Sequence, residues 1–249
     1  MIPLPANASP YGWLLLGGIA VTLTFWLRLA RRDDRLFTLY IAALLGAFLG
    51  AKLVYLGAEG WLHWADPDRW RQWATGKSVL GALLGGYLAV EIAKQAVGYA
   101  GTTGDWFAAT APLGIVLGRV GCLFHGCCLG VVCAPAWYTL RDVGGVTRWP
   151  SVPVEILFNL IALLVFWGLR RRRLLSGQHF HLYLMAYGAF RFGHEFVREE
   201  PRILGPFSGY QVAALSVFAL GLAGFIRRRR RPLTNLSPAA VPNARSHPL

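Results

Sequence analysis

Long apolar runs separated by short polar segments dominate the pattern of this chain. Crossing the hydrocarbon core of a bilayer takes about 20 apolar residues in helical conformation, and seven runs approach that length. They cover approximately Tyr11–Leu29, Leu36–Leu56, Val79–Val97, Trp106–Leu123, Val152–Leu169, Phe180–Val197 and Phe207–Ile226. The pattern predicts an all-α, polytopic membrane protein with about seven transmembrane helices.

Composition supports the membrane class and suggests a simple domain organisation. The chain has 249 residues, of which 55% are hydrophobic, and this is too apolar for an ordinary soluble domain. We predict a single transmembrane domain over residues 1–231 and a disordered cytoplasmic tail over residues 232–249, which are rich in Pro, Ser and Asn. No basic stretch precedes the first apolar run and no convincing cleavage site follows it, so we predict a retained first helix.

The positive charge is concentrated at particular ends of the predicted helices. The formal net charge is +13, and three arginine clusters follow the first, fifth and seventh apolar runs. They are Arg28–Arg35, Arg170–Arg173 and Arg227–Arg231. By the positive-inside rule, this distribution predicts an outside N-terminus and a cytoplasmic C-terminus. It favours contact with membrane lipids and argues against nucleic-acid binding.

Glycine pairs and a tryptophan-rich loop suggest how the helices pack and where the interface lies. Small residues four apart are typical of close helix–helix packing in membranes. Such pairs are Gly46/Gly50, Gly81/Gly85 and Gly114/Gly118. The loop between the second and third runs contains Trp61, Trp64, Trp70 and Trp73. We interpret these rings as an interfacial anchor, and a role in admitting substrate stays open.

Two arginines lie inside apolar runs, where a charge is costly and usually functional. The predicted topology puts Arg119 and Arg191 near the outer ends of the fourth and sixth helices. Glu195 shares a helix face with Arg191, and Glu155 opens the fifth helix on the same side. This agreement in depth predicts a site for an anion, with phosphate the obvious candidate. An Arg–Glu pair that only locks helices is the alternative, but it leaves Arg119 without an evident partner.

The four cysteines of the chain lie close together after Arg119. They are Cys122, Cys127, Cys128 and Cys133. Three interpretations stay open: structural disulfides at the outer face, a metal site that includes His125, or a reactive thiol activated by Arg119. The spacing matches no standard zinc pattern. A bridge between adjacent cysteines is strained, so we predict at least one disulfide, which pairs Cys127 or Cys128 with Cys122 or Cys133.

Four short motifs occur in an order that points to a known family. They are Gly118-Arg119-Val120-Gly121, Pro150–Glu155, the helix Tyr187–Arg198, and Ser208-Gly209-Tyr210-Gln211. With Tyr11-Gly12 and Gly46–Tyr55, they make the chain resemble the prolipoprotein diacylglyceryl transferases, which are seven-helix enzymes of the bacterial inner membrane. The likeness covers roughly residues 10–226.

The chain departs from the family pattern at several polar positions. Leu80 stands where the family usually has a histidine implicated in catalysis. Cys122 and His125 replace the two asparagines of the family signature, and Cys127 replaces its glutamate. The resemblance therefore implies a divergent member that keeps the arginines and lacks several of their polar neighbours.

The resemblance implies transfer of a diacylglyceryl group from phosphatidylglycerol to the lipobox cysteine thiol of a prolipoprotein signal peptide. The expected enzyme is a multi-pass protein of the bacterial inner membrane and needs no metal or cofactor. Arg119 and Arg191 would clamp the lipid phosphate, Glu155 and Glu195 would orient them or transfer protons, and His125 is a candidate base. The expected substrate-binding residues are Gly118, Gly121, Cys122, Tyr11, Arg198 and Gln211. The alternative is a non-transferase paralogue with a lipid pocket and a Cys/His thiol-redox or metal site.

Overall fold

The computed structural model of the protein describes residues 11–230, except for the side chains of Tyr11 and Leu15. The tail predicted over residues 232–249 lies outside the described residues, so its predicted disorder stays a prediction. The described part forms eight α-helices, and seven of them coincide with the predicted apolar runs. They are α1 (Tyr11–Ala30), α2 (Arg35–Ala58), α3 (Arg69–Thr75), α4 (Val79–Ala96), α5 (Gly104–His125), α6 (Ser151–Arg171), α7 (His179–His194) and α8 (Gly209–Arg229).

Six of these helices are long and apolar enough to cross a membrane, namely α1, α2, α4, α5, α6 and α8. The chain is therefore a multi-pass membrane protein. The remaining predicted span differs, because α7 has 16 residues and ends at His194 rather than at Val197. A 3₁₀ turn over Glu195–Val197 continues it. The helix rises about 24 Å and the turn adds about 6 Å, which together approach the thickness of the hydrocarbon core.

Burial explains how α7 can carry polar side chains inside the bundle. Its residues Tyr183, Leu184 and Tyr187 are fully buried against α8 and neighbouring helices. A helix surrounded by protein rather than lipid can place polar side chains opposite polar partners inside the bundle. Gly188 allows this contact, since a Cβ there would overlap the backbone of α8. The one apolar run that is not long enough as a helix to span the membrane by itself thus packs against α8, α5 and α6.

The glycine pairs of α2 and α4 pack directly against each other. A Cβ added at Gly46 or Gly50 would overlap the backbone carbonyl of Gly85 or Gly81 on the other helix. The predicted close packing is confirmed for these two pairs. It is wrong for Gly114/Gly118, where an added Cβ would have no described neighbour within 4 Å because both glycines line an open cavity.

The tryptophan-rich loop is anchored by hydrogen bonds to α2 and to its own backbone. The Nζ atom of Lys52 donates to the carbonyl oxygens of Trp73, Ala74 and Gly76, and so caps the end of α3. The indole of Trp73 donates to the Gly60 carbonyl at 2.7 Å. Three other tryptophan side chains of the loop stay more than half exposed: Trp61, Trp64 and Trp70. Exposed indoles at a helix end are consistent with the predicted interfacial anchor.

Two loops, which follow α5 and α7, close one side of the bundle. We call this side the loop end. Strand β1 (Leu140–Arg141) pairs with β2 (Thr147–Arg148), and β3 (Arg202–Leu204) pairs with β4 (Phe207–Ser208), both antiparallel. The backbone N–H of Val131 donates to the Val197 carbonyl at 3.0 Å. The N–H of Trp149 donates to the Val131 carbonyl at 2.9 Å. The loop after α5 is therefore held against the segment that follows α7.

Candidate active site

A buried carboxylate at the loop end binds two arginines from different helices. Glu155 is the fifth residue of α6 and is fully buried. Its Oε2 atom lies 3.0 Å from Nε of Arg119 on α5 and 3.3 Å from Nη1 of Arg191 on α7. Its Oε1 atom accepts a hydrogen bond of 2.6 Å from the hydroxyl of Tyr187. Three helices thus converge on one carboxylate.

The network continues along the end of α7 to a third arginine. The Nη2 atom of Arg191 donates to Oε2 of Glu195 at 2.8 Å. The same oxygen lies 3.7 Å from Nε of Arg198, whose Nη2 donates to Glu200 at 2.6 Å. All three arginines are less than 10% exposed. Their charges are offset by three buried or nearly buried carboxylates, which lowers the cost of placing them away from water.

The arginines face a large cavity and the glutamates lie behind them. The cavity has a volume of about 1450 Å³ and is lined by the side chains of Arg119, Arg191 and Arg198. Glu155 and Glu195 do not line it. Nη1 of Arg198 is buried and has no hydrogen-bond partner within residues 11–230, so it can still donate to a ligand. Fixed cations that face an apolar-walled cavity make a site suited to the anionic head of an amphiphile.

Burial also changes the acid–base behaviour of a carboxyl group on the cavity wall. Burial raises the pKa of Glu200 to about 7, although the nearby Arg198 acts in the opposite direction. Glu200 lies after the 3₁₀ turn and lines the cavity. The charge at this part of the cavity wall therefore changes near neutral pH.

The structure brings together four residues that the sequence placed at one depth: Arg119, Arg191, Glu155 and Glu195. The sequence suggested no partner for Arg119, and the structure supplies Glu155. Among the expected substrate-binding residues, Gly118, Cys122 and Arg198 line the cavity, whereas Gly121 is buried within α5. Tyr11 begins α1, and its side chain lies outside what the structure describes.

Gln211 has a structural position instead of a place on the cavity wall. Its backbone N–H and side chain form a reciprocal capping box with Ser208 at the start of α8. Its side-chain Nε2 also donates to the Phe192 carbonyl at 3.3 Å. Because its side chain does not line the cavity, the substrate-binding role expected for Gln211 lacks geometric support.

The histidines near the site differ in their access to the cavity. His125 is the last residue of α5, is exposed and lines the cavity. His194 is buried, its ring stacks on Phe190 with centroids 4.9 Å apart, and it does not line the cavity. Leu80, at the position of the family histidine, is 1% exposed and belongs to the hydrophobic core.

One histidine on the cavity wall was missed in the sequence. His63 lines the cavity, and its Nδ1 lies 2.8 Å from Oδ2 of Asp66. Its Nε2 lies 3.8 Å from Glu59, which accepts a hydrogen bond of 2.7 Å from Tyr210. In the sequence, the only indication of a site at this position was an aspartate three residues after a histidine. The loop that contains them had been interpreted as an interfacial anchor because of its tryptophans.

All four cysteines carry free thiols, so the prediction of at least one disulfide is wrong for this structure. The Sγ atoms of Cys122 and Cys128 are 4.0 Å apart, about twice the length of a disulfide bond. Nη1 of Arg119 lies 3.3 Å from Sγ of Cys128. Hydrogen bonding with the neighbouring side chains of Cys122 and Cys127, together with the charge of Arg119, lowers the pKa of the Cys128 thiol. Cys122 and Cys128 are thus part of the arginine site.

Comparison with known proteins gives one consistent result. The family described as prolipoprotein diacylglyceryl transferase matches residues 2–227. A phosphatidylglycerol–prolipoprotein diacylglyceryl transferase of Geobacter sulfurreducens is 34% identical over 206 residues, which cover 80% of this chain and 78% of the relative. A protein of the same name from Vibrio vulnificus strain YJ016 is 31% identical over 83% of this chain and 80% of the relative. A third protein of that name, from Vibrio parahaemolyticus, is 29% identical over 92% of this chain and 89% of the relative.

Proposed function

Because the chain belongs to the prolipoprotein diacylglyceryl transferase family, we propose that it transfers a diacylglyceryl group from phosphatidylglycerol to the cysteine thiol of a prolipoprotein. The donor is an anionic lipid and the acceptor is the lipobox of a signal peptide. The leaving group is glycerol phosphate. The chain acts as a multi-pass transferase in lipoprotein biosynthesis, in the bacterial inner membrane.

The observation that carries this proposal is the set of three buried arginines on the wall of one large cavity. A cavity of about 1450 Å³ can enclose much of a lipid, and its wall is apolar along α1, α2 and α5. A planar guanidinium can bind a phosphodiester through two parallel hydrogen bonds. Arg119 and Arg191 therefore clamp the phosphate of the donor, and Arg198, with its unpartnered Nη1, supplies a third cation.

The glutamates support this clamp from behind. Glu155 binds both Arg119 and Arg191, so the two guanidinium groups keep a fixed relative position before the lipid arrives. Preorganised charges cost little reorganisation as negative charge accumulates on the departing phosphate. Glu195 holds Arg191 from the other side. Both carboxylates are positioning residues, because neither lines the cavity.

Deprotonation of the acceptor thiol needs a group other than the family histidine. His125 is one candidate, because it lines the cavity and lies one helical turn beyond Cys122. His63 is a second, since Asp66 fixes the orientation of its ring. Both lie at the loop end, as the arginine clamp does.

The orientation follows from the arginine clusters. We propose that the loop end faces outward and that the ends carrying Arg28, Arg170–Arg173 and Arg227–Arg230 face the cytoplasm. The phosphate clamp then lies at the outer side, at headgroup depth. The exposed tryptophans of the α2–α4 loop hold this end at the interface.

A second candidate function is a non-transferase paralogue that binds lipid and performs thiol or metal chemistry. The observation that favours it is the cluster of Cys122, Cys127 and Cys128, whose sulfurs all lie within 4.8 Å of one another. A paralogue of this kind would keep the cavity and show no transfer.

Complementation separates the two functions in cells. The chain is expressed in a bacterium whose own diacylglyceryl transferase is depleted, and lipoprotein maturation is followed by mass spectrometry of a reporter lipoprotein. Wild type is expected to restore the diacylglyceryl modification, and Arg119→Ala is expected to fail at equal membrane levels. Correct insertion in the membrane without any modified reporter would favour the paralogue.

A further inference from the structure

Three cysteines form a compact sulfur cluster at the wall of the cavity. Cys122 is buried in the last turn of α5, and Cys127 and Cys128 follow the end of that helix. Their Sγ atoms lie within 4.8 Å of one another, and the Cys122–Cys128 distance is 4.0 Å. All three line the same cavity as Arg119. Cys133, the fourth cysteine, lies outside this group and does not line the cavity.

The backbone after α5 is bent in a way that gathers these sulfurs. Gly126 ends the helix with φ +69°, in the left-handed region. Cys128 adopts φ +62°, which is uncommon and unfavourable for a residue with a side chain. This conformation turns the chain back, and the Cys127 N–H donates to the Cys122 carbonyl at 3.3 Å. A strained backbone at a cysteine that faces a cavity indicates that the position of its sulfur matters.

The sulfur positions fit a shared metal ion better than a disulfide. Zinc binds thiolate sulfur at about 2.3 Å, which places two sulfurs of one tetrahedral site about 3.8 Å apart. The observed separation of 4.0 Å is close to that value, whereas a disulfide needs about 2.05 Å. Three protein ligands with a fourth open position are typical of catalytic rather than structural zinc.

The charge around the cluster also fits this occupant. Three thiolates and one Zn²⁺ carry a net charge of −1. Nη1 of Arg119 lies 3.3 Å from Sγ of Cys128 and 4.0 Å from Sγ of Cys122. A guanidinium at these distances stabilises an anionic metal–thiolate centre and orients its ligands. The same arginine faces the lipid phosphate, so one residue connects the sulfur cluster with the donor site.

We propose that Cys122, Cys127 and Cys128 bind one zinc ion whose open position takes the sulfur of the acceptor cysteine. This role rests on the proposed transferase function. A thiol bound to zinc is held as the thiolate, which is the nucleophilic form. The chain therefore needs no histidine at Leu80, because the metal replaces the base.

The reaction balances without an oxidant or a reductant. The acceptor thiol loses its proton to solvent when its sulfur binds the metal. This sulfur then attacks the carbon of the diacylglyceryl group that is bonded to the phosphate oxygen. A C–S bond forms from the sulfur electron pair, and the C–O bond breaks with its pair going to the phosphate oxygen. Glycerol phosphate leaves from the arginine clamp.

Metal content tests the site without any activity assay. The full chain is purified in detergent without a polyhistidine tag and without chelators, and zinc is counted by mass spectrometry. About one zinc per chain is expected for wild type and for the control Cys133→Ser. Loss of zinc is expected for Cys122→Ser, Cys127→Ser and Cys128→Ser. Wild type without zinc, or with a Cys122–Cys128 disulfide, would overturn the proposal.

Cobalt substitution keeps the test valid if a serine variant fails to fold. Zinc is removed from wild type with a chelator and replaced by Co²⁺ alone. Thiolate-to-cobalt absorption in the near ultraviolet is expected in wild type and in Cys133→Ser. Its absence from folded, reduced protein would overturn the site.

A separate measurement tests whether the sulfur of the acceptor cysteine binds the open position of the metal. A lipobox peptide is added to the cobalt protein in the absence of lipid, with a cysteine-to-serine peptide as control. Only the cysteine peptide is expected to change the cobalt spectrum. No change would overturn the activating role. Transfer by a metal-free protein with all three cysteines replaced would overturn the inference and leave the transferase function intact. Bound zinc without transfer would leave the zinc site standing and contradict the transferase function, together with the acceptor role that rests on it.

Discussion

Arg119 and Arg191 both contact the carboxylate of Glu155, although they lie on different helices. At the residue scale, the sequence could predict the depth of these residues in the membrane but not all of their partners. Alternating spans fix the depth of a residue, so the sequence placed both arginines, Glu155 and Glu195 at one level. The partner of Arg119 also depends on how each helix is rotated about its axis. Lipid and protein core are both apolar, so hydrophobic periodicity gives little information on that rotation. Only Glu195, which follows Arg191 by four residues, could be assigned from spacing.

Substitution of Arg119 tests the clamp at this scale. Arg119→Ala is expected to lower kcat by about 10²–10³-fold, because one fixed cation is lost where charge develops. Arg119→Lys is expected to be intermediate, because a point charge remains without the planar fork. Glu155 keeps Arg191 as a partner in both variants, so the melting temperature should change little. The exposed Arg141→Ala is the control, and an Arg119→Ala enzyme of normal kcat would contradict the clamp.

Arg191 is expected to behave differently, because it holds two buried carboxylates. Arg191→Ala should lose transfer and also about 3–5 kcal/mol of stability, since Glu195 and Glu155 lose an opposing charge. Thermal unfolding in detergent measures the second effect. An inactive variant of unchanged stability would mean that Arg191 does not hold the network together.

At the scale of elements, the apolar runs predicted seven helices well, and the exceptions have physical reasons. Helix α7 is shorter than predicted because its end turns into a 3₁₀ segment, which contains Glu195 and is followed by Arg198 of the same network. The α2–α4 glycines mark close packing, as expected. Gly114 and Gly118 have the same spacing but border the cavity, and sequence spacing cannot distinguish a neighbouring helix from space kept for a ligand.

The two kinds of glycine give a matched pair of variants. Gly50→Ala is expected to destabilise the protein by about 1–3 kcal/mol, because the new methyl group overlaps the backbone of α4. Gly114→Ala should be neutral or slightly stabilising, since alanine favours the helix and the site has room. Thermal unfolding of both variants in one detergent checks the difference. Equal stability would contradict the observed α2–α4 contact.

At the scale of the whole molecule, the three arginine clusters determine the proposed orientation of the bundle. Reporter fusions after Arg35 and Arg173 are expected to lie in the cytoplasm, and fusions near Trp70 and Arg141 outside. The physical reason is the cost of moving clustered positive charge across the membrane. A reporter near Trp70 that is active only in the cytoplasm would place the phosphate clamp on the wrong side for this function.

The central claim is that the arginine site transfers a diacylglyceryl group from an anionic lipid to a thiol. Its most direct test is mass spectrometry of a lipobox peptide incubated with the purified, zinc-replete protein in phosphatidylglycerol vesicles. The account predicts that the cysteine peptide gains one diacylglyceryl group while glycerol phosphate is released, and that Arg119→Ala abolishes most of this gain. An unmodified peptide with folded wild-type protein would contradict it.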